Sequence, residues 1–104
     1  MYIAFDTIEL RSACEDENAA RARLCEGADE FLAAFADVAS ADFVADLPPN
    51  VLALDGDMKT FRMKFGIGEA VFALNHAKPP HDANGGLDLT RVNRLRVVGI
   101  ETND

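Results

Sequence analysis

The hydrophobic period changes once along the chain, at Pro48-Pro49, and that change restricts the fold more than any other feature. Before the prolines, Ala28, Phe31, Leu32, Phe35, Val38 and Ala39 recur at three- and four-residue spacing, which predicts an amphipathic helix. After them, Thr60–Phe65 alternates. Phe61, Met63 and Phe65 fall on one side, and Thr60, Arg62 and Lys64 on the other, as in a strand with one buried face. Phe43, Val44 and Leu47 carry the apolar content into a short turn that Pro48-Pro49 closes, because proline lacks the N–H and restricts the residue before it.

The remaining elements follow the same logic. Tyr2–Asp6 reads as a first strand, with Asp6 or Thr7 capping the next helix and Asp6 with Glu9 resembling a capping box. Leu10, Ala13, Cys14, Ala20 and Leu24 predict one helix ending near Cys25-Glu26-Gly27. Val51–Leu54, Ala70–Asn75 and Arg94–Ile100 read as further strands. Asp55-Gly56-Asp57 reads as a turn, and Gly66-Ile67-Gly68 as a hairpin whose glycines supply a positive φ. Residues 78–90 read as an irregular loop. The predicted fold is a single α+β domain over residues 1–104, a mostly antiparallel sheet covered on one face by two N-terminal helices.

Charge is distributed unevenly. The net charge is −8, and residues 1–50 hold 11 acids against 3 bases while the rest is balanced at 7 of each. Such acidity disfavours nucleic acid unless cations are gathered locally. The alternation supplies one gathering: Arg62, Lys64, Arg94 and Arg96 should share the sheet face turned away from the helices. This face reads either as ordinary solvated strand residues or as a phosphate-binding surface for RNA.

His76, at a strand end, and His81, in the loop, are candidate acid–base groups for RNA chemistry. No metal site is expected, because His76, His81 and Asp82 have no further ligand at fixed spacing. No cofactor is expected either, since no helix follows Gly66-Ile67-Gly68 to cradle a phosphate. Cys14 and Cys25 would lie roughly 16 Å apart on one helix, beyond the ~7 Å reach of a disulfide. They read as reduced, partly buried thiols of a cytoplasmic protein. The first residues, MYIAFDTIEL, lack the basic start of a signal peptide, and no apolar run is long enough to span a membrane.

Several segments taken together carry a family resemblance. They are Glu9-Leu10-Arg11, Cys14-Glu15-Asp16-Glu17, Asp46-Leu47-Pro48, Leu54 with Gly56-Asp57, Asn75-His76, and Gly86-Leu87-Asp88-Leu89 followed by Arg91-Val92. In this order they resemble small bacterial toxins of the RelE/ParE superfamily, in the HigB-like plasmid maintenance system killer branch, over residues 2–101. The resemblance implies the toxin of a type II toxin–antitoxin pair, cleaving mRNA on the ribosome as a metal-independent endoribonuclease and bound by a cognate antitoxin protein. His76 and Arg91 match the branch pattern. With the alternation, the implied catalytic set is His76, Arg62 and Arg94, and the implied RNA contacts are Lys64, Arg91 and Arg96.

The chain departs from the branch at Glu69-Ala70, where Tyr-Arg is common, at Leu89, where Trp is frequent, and at Thr102-Asn103-Asp104, where Asp-Tyr-His often stands. These departures motivate an alternative of another class, a catalytically inactive protein-interaction module of the same fold. Some relatives inhibit gyrase, which is a third reading.

Overall fold

A computed structural model describes residues 1–102 of the chain, in the order β1 (Tyr2–Phe5), α1 (Ile8–Glu15), α2 (Glu17–Leu24), α3 (Ala28–Ser40), β2 (Ala53–Leu54), β3 (Thr60–Phe65), β4 (Gly68–Leu74) and β5 (Arg94–Thr102). Short 3₁₀ turns at Cys25–Gly27 and Val44–Asp46 flank α3. Strands β2 to β5 form the expected antiparallel meander. β1 returns to pair with β5 in parallel, giving the order β1-β5-β4-β3-β2 and an α+β fold with a five-stranded mixed sheet.

The first helix is two helices rather than one. Asp16 takes an extended conformation, so its N–H donates to the Ser12 carbonyl as α1 ends, while its carboxylate accepts from Asn18 N as α2 begins. A short polar side chain that satisfies exposed helix N–H groups favours a new start over continuation. Thr7 is the cap of α1, accepting from Leu10 N at 3.1 Å. Asp6 instead reaches Arg96 on β5.

Helix α3 forms as its period requires. Ala28, Phe31, Phe35 and Val38 are buried, and Asp29, Glu30 and Asp37 are exposed. The Phe31 ring meets the Phe65 ring edge-on at 5.2 Å, and Phe35 stacks on Phe72 at 6.4 Å and lies 6.3 Å from Phe5. These contacts lock α3 across β1, β3 and β4, with Phe61, Met63, Leu95 and Val97 fully buried beneath. Leu32 is only partly buried, at the edge of this cluster.

The β3–β4 hairpin has the predicted position but a different cause. Phe65 pairs with Gly68, leaving the two-residue loop Gly66-Ile67. Neither Gly66 nor Gly68 has a positive φ. Gly68 is required by close approach, since a Cβ there would collide with the Glu101 backbone carbonyl, whereas a Cβ on Gly66 would meet only the movable carboxylate end of exposed Glu30. The strand predicted from Val51 shortens to two residues, and the last strand runs on to Thr102.

Cys14 and Cys25 lie on separate segments. Cys14 is buried, and that burial pushes its thiol up to about 12, whereas Cys25 is exposed. A thiol reagent at pH 8 should therefore modify one cysteine in the native protein and both in denaturant. Modification of both at equal rates in the native state would contradict the burial of Cys14. Phe31→Ala should lower unfolding free energy by about 3–5 kcal/mol, as read from denaturant unfolding, because it empties a fully enclosed site.

Candidate functional site: the open face of the sheet

The face of the sheet turned away from the helices is defined by register. Because Phe61 is paired with Phe72, and Phe72 with Val97, the neighbours of these buried residues must point the other way. Arg62, Lys64, Arg94 and Arg96 accordingly share the open face, as alternation predicts. A β-bulge between Val71 and Phe72 restores this alternation across β4 and β5.

The same rule brings carboxylates to that face. Lys64 pairs with Glu69, and Glu69 with Glu101, so both acids stand beside Arg62. Arg62 Nε donates to Asp55 Oδ2 at 3.0 Å and Nη1 to Glu69 Oε1 at 3.0 Å, with Glu101 Oε2 at 3.4 Å. Glu69 and Glu101 are direct cross-strand partners and repel each other, and the guanidinium between them relieves that repulsion. The hydrogen bonds to Asp55 and then Glu69 raise the Arg62 pKa, so its charge is fixed at every working pH.

Arg96 and Arg94 are also engaged, and Lys64 is not. Arg96 Nε lies 2.5 Å from Asp6 Oδ1 but without hydrogen-bond alignment, so the contact is an ion pair and not a donated bond. Arg94 stacks over the Tyr2 ring at 4.8 Å. Lys64 is exposed and forms no ion pair among the described residues. Four cations of the open face thus stand among four carboxylates, those of Asp6, Asp55, Glu69 and Glu101.

Arg91 is not on the sheet. It braces the loop before β5, with Nε 2.9 Å from Asp88 Oδ2 and Nη2 donating to the His81 carbonyl. His76 lies two residues past the end of β4 and is partly buried. Its Nε2 accepts from Asn93 N at 3.2 Å. Burial first, and then the charge of Arg94, lower its pKa from the usual 6.5, so the ring is neutral at pH 7. A neutral ring with that lone pair already used holds the chain entry to β5 in place.

The predicted turn at Asp55-Gly56-Asp57 forms, and the Asp57 carboxylate accepts from Lys59 N, Thr60 N and Thr60 Oγ1. Asp82 likewise accepts from Asn84 N and Gly86 N. Among the described residues no group of three metal-binding side chains exists. No helix among them is long and apolar enough to cross a membrane. The branch departure at Thr102-Asn103-Asp104 falls largely outside the described residues.

The acids were the part that a search for cations alone passes over. The signal was present in the sequence: a two-residue hairpin at Gly66-Ile67 fixes Lys64 opposite Glu69, and period two then places Glu69 beside Arg62. Comparison of the chain with protein-family models, with curated proteins and with solved structures gives no match in any of the three.

Folding favours the neutral form of His76, so its contribution to stability is complete above about pH 6.5 and is lost as pH falls through its lower folded-state value. Denaturant midpoints should therefore decline between pH 7 and pH 5, and His76→Leu should remove part of that decline. An imidazole NMR titration with a midpoint above 6.5 would contradict this placement of His76.

Proposed function

We propose that the chain is a non-catalytic protein-interaction domain that acts by contact with a partner protein. The observation that carries this reading is Arg62 held by Asp55, Glu69 and Glu101. A guanidinium recognises phosphate through a free planar fork. Here the fork is occupied, and three anions stand where a phosphate would have to come. His76 adds to this, since its Nε2 lone pair is taken by Asn93 N–H and its proton affinity is lowered. The 11 acids of residues 1–50 favour a partner with positive charge. A RelE/ParE-like arrangement of the domain belongs to this proposal, supported by the sequence motifs and by the order of strand, helices and strands. In that family setting the partner would be a cognate antitoxin.

A second reading, the ribosome-dependent endoribonuclease toxin, is favoured by one feature. Arg62, Lys64, Arg94 and Arg96 share a single face, and Arg94 and Lys64 carry no carboxylate partner among the described residues. No feature of the face favours gyrase inhibition.

Induced expression in bacterial cells without a cognate partner separates the two readings. The interaction domain leaves growth and cellular mRNA unchanged at confirmed soluble expression. Growth arrest accompanied by cleaved mRNA would overturn it in favour of the toxin.

A further inference from the structure

Strand β1 is one edge of the sheet, and its sequence, Tyr2-Ile3-Ala4-Phe5, carries no charge and no proline. Exposed edges are normally blunted by such residues, because unpaired N–H and C=O groups invite another strand. The opposite edge, β2, is only two residues long. Tyr2 N donates to Asn93 O at 2.8 Å and Asp6 N to Val97 O at 3.0 Å. Parallel pairing uses alternate residues, so the N–H and C=O groups of Ile3 and Phe5 face away from β5. No described strand pairs with that side.

A groove of about 480 Å³ runs beside it, walled by Ile3, Phe5 and Thr7 on one side and by Ile8, Arg11 and Glu15 of α1 on the other. Ile8 at its lip is 75% exposed and Tyr2, at the start of the strand, 65%. Ile8 thus leaves an apolar side chain in water beside the unpaired edge, where a side chain of an added strand can cover it.

We infer that this edge receives an extended, basic segment of a partner protein, which adds a sixth strand beside β1 and sets an apolar side chain against Ile8. The inference rests on the protein-binding reading above and names its surface. Charge selects the occupant. Glu9, Glu15, Asp16 and Glu17 lie in or next to α1; with Glu15 paired to Arg11 and Glu17 to Arg21, Glu9 and Asp16 remain in excess, with no ion pair among the described residues. A second copy would bring these acids against one another, and a nucleic acid would be repelled. A segment alternating cationic and apolar residues satisfies both the backbone and the charge.

The test uses the full ¹⁵N-labelled chain and a terminally blocked peptide of alternating lysine and valine. Bound peptide should slow amide hydrogen exchange at Ile3 and Phe5 about tenfold or more, and shift Ile8, with Arg62 and Lys64 unaffected. The same peptide N-methylated at alternate residues keeps its charge and side chains but cannot pair, and should give no slowing. Ile8→Lys, a substitution at an exposed position that keeps the melting temperature, should weaken binding.

Unchanged exchange at Ile3 and Phe5 overturns the inference, whether the peptide binds elsewhere or not at all. So does equal binding of a glutamate–valine peptide, or a dimer paired through β1 without peptide. Any of these outcomes with normal cell growth sinks the edge and leaves the interaction domain standing. Growth arrest with mRNA cleavage sinks the interaction domain itself.

Discussion

The row of phenylalanines on α3 decides which way every strand faces. Phe31 and Phe35 offer the largest apolar surface in the first half of the chain, and only the Phe61, Met63, Phe65 and Phe72 side of the sheet can cover it. A one-residue slip of β3 would turn Phe61, Met63 and Phe65 into water and bring Arg62 and Lys64 beneath the helix. Burying those cations unpaired would be far more costly than any gain from the slip. Packing on one face therefore fixes the charge pattern on the other, several ångströms away and without direct contact between them.

That imposed pattern is a balanced one. Arg62, Lys64, Arg94 and Arg96 arrive on the open face because they alternate with core residues, and Glu69 and Glu101 arrive for the same reason. Asp6 joins from the residue after β1, and Asp55 from the turn after β2. The result is a sheet surface with little net charge, flanked by helices that carry the acid excess. Affinity for a polyanion rises with the number of phosphates neutralised, and this face has few cations left to spend. Attraction to a cationic protein has no such obstacle.

Much of this was legible before any coordinates. The break at Pro48-Pro49, helix α3, the meander and the shared face of the four cations all follow from period and turn chemistry in the sequence. The break at Asp16 was hidden because the apolar spacing of Leu10, Ala13, Cys14, Ala20 and Leu24 runs across it as though one helix continued. The hairpin glycines were placed correctly, but the need for Gly68 comes from the backbone at Glu101, a residue distant in sequence. Parallel pairing of β1 with β5 joins residues some ninety positions apart, which no local pattern encodes. His76 and Arg91 looked free for chemistry as letters. Their use by Asn93 N–H and by Asp88 is visible only once the loop before β5 is folded.

The central claim is that carboxylates neutralise the open face. It is tested most directly by the salt dependence of single-stranded RNA binding, measured for the native chain and for a variant carrying Asp55→Asn, Glu69→Gln and Glu101→Gln. Each phosphate contact contributes about −0.7 to the slope of log K against log salt. The native chain should show no measurable salt-dependent binding, and the variant should gain a slope as Arg62 is released. A native slope of about −1.4 or steeper, equal to two or more phosphate contacts, would contradict the account and return the open face to RNA.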